Sequence, residues 1–256
     1  MSDLEIFQFP ALSDNYCFLI HSRDTHETAV VDTPEVSAIE RALEQRGWSL
    51  THIFNTHHHF DHAGGNLELK QKWQAQIIGP RDEKEKIPGL DIAVGDGDMF
   101  SFGGKDVQVL GVPGHTLGHI AYYFPECRKA FVGDALFALG CGRVFEGTPT
   151  QMWASLRRLM ELPDDTLVYC AHEYTLSNAK FALAVEPNNK DLKQRVEEIE
   201  KLREQGLPTV PTSIGLEKRT NPFLRPDSNE IRRTLNLNTE DNATVFAATR
   251  QLKDNF

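Results

Sequence analysis

The chain has 256 residues, 40% of them hydrophobic and 25% charged, so it can bury the core of one large or two small domains, and extensive disorder is not expected. Its 27 basic and 37 acidic residues give a net charge of −10, which opposes binding to nucleic acid or to anionic membrane surfaces. It has no apolar run of about 18 residues and no signal-peptide pattern, so we expect a cytoplasmic protein without a membrane segment.

The first half of the chain begins with a pattern typical of strands. Short runs rich in β-branched and aromatic residues cover 4–9, 16–21 and 28–31, and turn formers separate them, which predicts an antiparallel meander. Between Pro34 and Gly47, apolar residues recur at helical spacing, so a helix is predicted there.

The stretch 56–65, THHHFDHAGG, follows the apolar run 52–54 and is the strongest functional signal. Alternate side chains of an extended segment share a side, so His57 and His59 can face one point. Asp61 and His62 add an oxygen and a nitrogen ligand. A short helix and a strand are predicted after the glycines, which places the cluster at a strand-to-helix turn, where ligands bind in α/β units. A solvated histidine run is the alternative, and this position favours metal binding over it.

The pattern His57-x-His59-x-Asp61-His62 resembles the signature of the metallo-β-lactamase superfamily. The resemblance implies an α+β fold, an αββα sandwich, with metal ions at one edge. The superfamily includes hydrolases, nucleases and oxidoreductases, so this motif alone does not name the reaction.

Further candidate ligands follow later predicted strands. The turn 96–98, Asp-Gly-Asp, lacks the spacing of a calcium loop and is predicted to be a hairpin turn. A strand from residue 106 ends in PGHTLGH, in which the superfamily pattern makes His115 the third histidine and His119 a packing residue or a support for the ligands. Asp134 follows the apolar run 129–132, and His172 follows the run 167–170.

The resemblance implies a centre with two metal ions, since seven ligands are too many for one tetrahedral zinc. In the superfamily pattern, the first ion is held by His57, His59 and His115, the second by Asp61, His62 and His172, and Asp134 bridges them. The implied nucleophile is a hydroxide that bridges the ions, with Asp61 and Asp134 as catalytic carboxylates. Zinc is expected, although iron(II) or manganese(II) also suit nitrogen and oxygen ligands.

A second, more specific resemblance covers the whole chain. The segments GCGR at 140–143, AHEYTLSN at 171–178, NPFLR at 221–225 and the closing Arg250-x-x-Lys253 are similar to glyoxalase II, the hydroxyacylglutathione hydrolase family. This resemblance implies hydrolysis of an S-2-hydroxyacylglutathione, typically S-D-lactoylglutathione, to glutathione and D-lactate. That reaction is the second step of methylglyoxal detoxification.

The same resemblance implies five residues that bind the glutathione moiety: Arg143, Phe145, Tyr174, Arg250 and Lys253. Arg143 and Phe145 replace the more familiar Lys and Tyr, so the charge is kept, but the hydrogen bond of a phenol is lost. Arg250 and Lys253, at i and i+3, share a helix face and can clamp carboxylates. Without the resemblance, cations near a helix C-terminus would be explained by the helix dipole.

After residue 173 the pattern changes from strands to helices. Helices are predicted over 174–185, 190–205, 229–235 and 239–253, with a loose proline-containing stretch over 207–226. We therefore predict a catalytic domain at 1–173 and a helical substrate-binding domain at 174–256. No exposed apolar stripe requires a partner, so a monomer is expected. The four cysteines form no CxxC pair, which indicates reduced thiols.

Four other functions share parts of this pattern. A persulfide dioxygenase of the superfamily would hold one iron and consume oxygen. A lactonase or β-lactamase would share the metals without needing Arg143, Tyr174, Arg250 and Lys253. The charge of −10 disfavours a nuclease. A non-catalytic metal-binding module would be expected to lose ligands, whereas all seven positions carry one.

Overall fold

The computed structural model describes residues 4–256 and divides them into two compact units. The first unit comprises the residues up to Gly111 together with Leu117–Gly133. The second comprises Val112–Thr116 and Asp134–Phe256. This division places residues 134–173 with the C-terminal helices, and the boundary at 173/174 stays a prediction.

The first unit opens with a six-stranded sheet in the order β1 to β6. Its elements are β1 (Glu5–Ala11), β2 (Asn15–His21), β3 (Thr28–Val31), α1 (Val36–Arg46), β4 (His52–Phe54), α2 (Phe60–Ala63), α3 (Asn66–Trp73), β5 (Gln76–Pro80) and β6 (Ile92–Val94). The first three strands pair antiparallel, as predicted, and β3 to β6 pair parallel. Helix α1 ends at Gly47, whose φ of 66° is left-handed and therefore suits glycine.

Four antiparallel strands form a second sheet in this unit: β7 (Met99–Phe102), β8 (Lys105–Gly111), β9 (Ile120–Phe124) and β10 (Lys129–Gly133). The ring of Phe54 packs against Phe102 and Tyr122, each with its centroid 5.2 Å away. The hydroxyl of Tyr122 donates to the carbonyl of Asn55 at 2.7 Å. Aromatic packing thus joins the two sheets of this unit.

The turn at Asp96-Gly97-Asp98 is not a hairpin, contrary to the prediction. It connects β6 of the first sheet to β7 of the second, so the strands on either side do not pair with each other. Turn residues indicate where the chain reverses, but they do not specify which sheet the next strand enters.

The second unit is mainly helical. Its elements are β11 (Leu136–Phe137), β12 (Gly140–Cys141), α4 (Pro149–Met160), β13 (Leu167–Cys170), α5 (Thr175–Val185), α6 (Lys190–Glu204), β14 (Thr212–Ser213), α7 (Ile214–Thr220), α8 (Asn229–Leu235) and α9 (Asn242–Asp254). Strands β11 and β12 form a hairpin, and β13 pairs with β14. The stretch 207–226, predicted to be loose, contains α7, which begins after Ser213 because that side chain caps it.

A buried ion pair stabilises the second unit. Glu186 is 3% exposed and accepts hydrogen bonds from Nε and Nη2 of Arg225 at 2.9 and 2.8 Å. Burial raises the pKa of Glu186, but hydrogen bonds from Arg225, Ser228 and Asn189 lower it, and the net pKa lies below its usual value. The pair is therefore expected to stabilise the fold when Glu186 is ionised.

We expect Glu186→Gln to lower the free energy of unfolding by about 2 to 4 kcal/mol at neutral pH. Because the folded pKa is depressed, this contribution is complete above the unfolded pKa and is lost as the pH falls through the folded value. Urea unfolding of both proteins at neutral and at acidic pH measures it. A difference between the two proteins that does not shrink in acid would contradict the role of the charge.

Among residues 4–256, no helix combines the length and the apolar character needed to cross a bilayer. Cys17, Cys127, Cys141 and Cys170 are all free thiols.

Candidate metal centre and adjoining cavity

In the first unit, four predicted ligands lie together after β4. His57 and His59 precede α2, whereas Asp61 and His62 lie within it. Nε2 of His57 is 3.0 Å from Nδ1 of His59, and Nε2 of His62 is 3.4 Å from Oδ2 of Asp61. The ring centroids of His57 and His62 are 4.0 Å apart. His58 points elsewhere, with Nδ1 2.9 Å from the carboxylate of Glu83.

Asp32 orients this cluster, and the sequence analysis missed it. Its carboxylate accepts from the amide and the hydroxyl of Thr56 and lies 2.8 Å from Nδ1 of His62. Because the Thr56 hydroxyl donates to Asp32, its oxygen can accept from Nδ1 of His57, 3.0 Å away. The imidazoles of His57 and His62 are thereby held with Nε2 as the candidate ligand atom. An aspartate directly after the apolar strand β3 was the available signal, and Asp134 also follows an apolar strand but was identified through the family resemblance.

A second buried carboxylate, that of Glu83, holds the backbone of the loop that carries His58. It accepts from the amides of His58 and Gly118 at 2.8 and 2.9 Å. Next to Gly118, His119 stacks on His57 with ring centroids 4.6 Å apart, which agrees with its predicted packing role. The sequence did not predict a role for Glu83, since no recognisable motif surrounds it.

In the second unit, the carboxylate of Asp134 lies between two predicted histidine ligands. Its Oδ2 is 3.3 Å from Nε2 of His115, and its Oδ1 is 3.4 Å from Nε2 of His172. Nδ1 of His115 is 2.8 Å from the carbonyl oxygen of Arg143, so it donates there and leaves Nε2 as the ligand atom. All three ligands are buried.

Close backbone approach explains the glycines of the GCGR segment. A Cβ on Gly142 would lie 2.0 Å from the carbonyl oxygen of Asp134. A Cβ on Gly140 would lie 2.4 Å from Nδ2 of Asn178. Any larger residue would displace the ligand loop or the cavity wall.

In each unit, the distances between candidate ligand atoms fit a bound divalent metal ion. Two ligand atoms bound about 2.0 to 2.1 Å from a tetrahedral ion lie about 3.4 Å apart. The contacts of Asp61 with His62 and of Asp134 with His115 and His172 are 3.3 to 3.4 Å long. Buried imidazoles and carboxylates at this spacing are the ligands that zinc, iron(II) and manganese(II) accept.

A cavity of about 550 Å³ lies in the second unit, within the size range of small-molecule sites. Two candidate metal ligands, His115 and Asp134, line it. All five predicted glutathione-binding residues line it as well: Arg143, Phe145, Tyr174, Arg250 and Lys253. The sequence analysis missed further wall residues: Phe137, Cys141, Ser177, Asn178, Asp254 and Phe256.

The wall formed by α9 is cationic. Arg250 is buried, donates to the carbonyl of Cys141 at 2.9 Å and pairs with Asp254 at 2.9 Å. Nζ of Lys253 donates to the hydroxyl of Ser177 at 3.2 Å. Burial, and then the charges of Arg250 and Arg143, lower the pKa of Lys253. The cavity thus holds three cationic side chains, those of Arg143, Arg250 and Lys253, against the carboxylates of Asp134 and Asp254.

Aromatic rings cover the ligand side of the cavity. Tyr174 stacks on His172 with ring centroids 4.8 Å apart and an interplanar angle of 2°. Phe145 lies 5.2 Å from the ring of His115, and 62% of its surface is exposed. It can therefore offer an apolar contact to a ligand in the cavity, without the hydrogen bond of a tyrosine.

The nearby thiols are not nucleophiles at neutral pH. Burial raises the pKa of Cys141 to about 11, although Arg250 opposes the shift. Burial likewise raises the pKa of Cys170 to about 12. Because thiolate rather than thiol attacks carbonyl groups, covalent catalysis by cysteine does not fit this cavity.

Two family models match the chain. Residues 12–172 match the metallo-beta-lactamase superfamily, and residues 173–256 match the hydroxyacylglutathione hydrolase C-terminus. A hydroxyacylglutathione hydrolase of Maricaulis maris is 53% identical over 256 residues, the full length of both chains. One of Rhizobium meliloti is also 53% identical over the full length of both.

Solved structures give a similar result. ETHE1 from Myxococcus xanthus has a TM-score of 0.67 at 30% identity, and the match covers 97% of this chain and 98% of the other. TTHA1623, solved in a di-iron-bound form, has a TM-score of 0.61 at 25% identity, covering 86% of this chain and all of the other.

Proposed function

Because this chain belongs to the hydroxyacylglutathione hydrolase family of the metallo-β-lactamase superfamily, we propose that it hydrolyses S-2-hydroxyacylglutathione thioesters. The typical substrate is S-D-lactoylglutathione, which yields glutathione and D-lactate in methylglyoxal detoxification. The lining of the cavity in the second unit is the observation that supports this proposal most strongly. The same cavity is lined by two candidate metal ligands and by the five residues expected to bind glutathione.

We propose that two divalent metal ions, zinc in the first place, bind per chain. The first would be held by His57, His59 and His115, the second by Asp61, His62 and His172, and Asp134 would bind both. Two findings support this proposal: the distances of 3.3 to 3.4 Å from Asp61 to His62 and from Asp134 to His115 and His172, and the di-iron-bound form of TTHA1623. Such ions supply Lewis acidity and a hydroxide at neutral pH.

The residues of this chain then orient the ligands and the substrate. Asp32 and the carbonyl of Arg143 fix the ring nitrogens of His62 and His115. The carboxylates of Asp61 and Asp134 accept hydrogen bonds from the attacking water. Because a thiol with a pKa of about 8.5 leaves readily as thiolate, no strong general acid is needed.

Arg250 and Lys253 bind the carboxylates of the glutathione tripeptide in this proposal, and Arg143 adds a third positive charge. Tyr174 and Phe145 pack against its apolar parts. The cavity thereby selects for the thiol portion of the substrate, and the acyl portion is left next to Asp134.

The remaining expectations stay proposals. We propose a monomeric, cytoplasmic enzyme that binds neither nucleic acid nor membranes, and its free thiols fit a reducing compartment. We also propose a catalytic domain at 1–173 and a substrate-binding domain at 174–256. Size-exclusion chromatography with light scattering tests the monomer, and limited proteolysis tests the domain boundary.

The proposed activity is tested by release of free thiol from S-D-lactoylglutathione. The same assay includes a thioester without glutathione and a metal-stripped sample. We expect fast release that needs metal and prefers the glutathione thioester. A fully metallated protein that releases no thiol would refute the proposal. One bound iron with oxygen uptake would favour a persulfide dioxygenase, and turnover of lactones would favour a lactonase.

The lowered pKa of Lys253 predicts a pH dependence of substrate binding. Its positive charge is lost at a lower pH than that of an ordinary lysine, so affinity for an anionic ligand falls earlier as the pH rises. We expect titrations with S-hexylglutathione to weaken in the alkaline range. In Lys253→Arg the affinity should stay level over that range, since arginine does not deprotonate there. Parallel pH profiles for the two proteins would contradict this role.

A further inference from the structure

Glu217 lies on α7, is fully buried and does not line the cavity. Both oxygens of its carboxylate accept hydrogen bonds. Oε1 accepts from the hydroxyl of Thr212 at 2.6 Å and from Arg195. Oε2 accepts from the amide of Leu139 and from Nδ2 of Asn221, both at 2.9 Å. Four donors therefore converge on one carboxylate.

Two of these contacts fix the turn of the β11–β12 hairpin. Leu139 has a φ of 58°, a left-handed conformation that is unfavourable for a residue other than glycine. Its amide is held by Glu217. Nδ2 of Asn221 also lies 3.2 Å from the carbonyl of Phe137 and 2.9 Å from that of Gly140. Glu217 and Asn221 thus hold the strained turn through its own backbone.

Both strands of this hairpin contribute a residue to the wall of the cavity. Phe137 on β11 and Cys141 on β12 both line it. The carbonyl of Cys141 accepts from Arg250, whose Nε finds no hydrogen-bond partner among residues 4–256. The orientation of this buried guanidinium therefore depends on two contacts: the ion pair with Asp254 on its own helix and the Cys141 carbonyl, which the hairpin places.

We propose that Glu217 is a positioning residue for the substrate. It holds the β11–β12 hairpin in the conformation that places Phe137 and, through the Cys141 carbonyl, orients Arg250. This inference rests on the proposed function for its substrate, since Arg250 is assigned there to the glutathione carboxylates. It assigns a role in substrate binding to a residue of α7, which does not itself reach the cavity.

Glu217→Gln tests the carboxylate with little change in shape. An amide has one acceptor oxygen, so its nitrogen must face either Arg195 and Thr212 or the donors of Leu139 and Asn221. The charged Arg195 is expected to keep the one oxygen, so the nitrogen faces Leu139 and Asn221, whose buried donors lose their acceptor. We expect KM for S-D-lactoylglutathione to rise about tenfold, with kcat changed by no more than about threefold.

Glu186→Gln is the matched control. Glu186 is also a buried carboxylate paired with an arginine in the same unit, but its hydrogen bonds come from Arg225, Ser228 and Asn189, none of which belongs to the hairpin. We expect this variant to lose stability and to keep the KM of the parent protein. Hydrogen exchange of the amides at 136–141 is followed in both variants, with faster exchange expected only in Glu217→Gln.

Asn221→Ser provides a second variant should Glu217→Gln fail to fold, because it removes the contacts of Nδ2 with the same hairpin. A raised KM together with faster hairpin exchange supports the inference. An unchanged KM in a folded variant, or an equal change in the Glu186→Gln control, overturns it. If the parent protein does not cleave the thioester, the proposed function fails. The positioning role is then decided by hairpin exchange and by binding of S-hexylglutathione.

Discussion

Replacing Asp134 with asparagine is expected to reduce hydrolysis of S-D-lactoylglutathione by about a thousandfold or more. The carboxylate lies between His115 and His172, with oxygen–nitrogen distances of 3.3 and 3.4 Å. An amide of the same shape carries no charge to balance a divalent ion and offers one oxygen in place of two. The loss should appear in kcat, measured by thiol release at saturating substrate, and in metal content, measured by elemental analysis.

Asp227→Asn is the control for this experiment, because Asp227 is an exposed residue far along the chain from every candidate ligand. It removes the same charge and should keep both activity and metal content. If Asp134→Asn keeps most of its activity with bound metal unchanged, Asp134 does not bind the metal ions. If metal is kept and only kcat falls, the carboxylate acts on the attacking water.

The predicted metallo-β-lactamase fold and the helical C-terminal region are confirmed. The fold prediction rested on the resemblance of short motifs to two known families, and the helical region also on the change from strand to helix patterns. His57, His59, Asp61 and His62 form one short motif, and Asp134 and His172 each follow an apolar strand. The residue types and the strand ends are visible within a few positions, so no long-range information was needed.

The buried carboxylates that support the candidate ligands and the cavity could not be predicted in the same way. Asp32 is 24 positions from Thr56, Glu83 is 25 from His58, and Glu217 is 78 from Leu139. Each acts through backbone amides or ring nitrogens that the fold brings near it. A buried carboxylate has no characteristic neighbours in sequence, so only the structure identifies its donors.

Position 143 illustrates how a backbone group can keep its role when the side chain changes. The sequence raised the replacement of the familiar lysine by Arg143 as a departure from the family. In the structure the carbonyl of this residue holds Nδ1 of His115 at 2.8 Å, a contact that any side chain permits. The replacement therefore bears on the cavity alone, where Arg143 still supplies a positive charge.

Removing the guanidinium in Arg250→Met should raise KM for S-D-lactoylglutathione about a hundredfold, since hydrogen bonds to charged groups contribute about 1.5 to 3 kcal/mol each. Methionine keeps much of the apolar stem but loses the contact of the guanidinium carbon with the ring of Phe223, 4.9 Å from its centroid. Turnover of a thioester without glutathione should stay near the parent value, because the metal ligands are unchanged.

Exposed Arg157 on α4 offers the matched control, and Arg157→Met should leave both substrates unaffected. Comparing kcat/KM for the two thioesters across the three proteins separates binding of glutathione from the chemical step. Equal losses on both substrates would mean that Arg250 supports the fold of the cavity rather than the glutathione carboxylates. A selective loss on the glutathione thioester would mean that a cation on α9 recognises the thiol portion of the substrate, while the metal ligands act on the acyl portion.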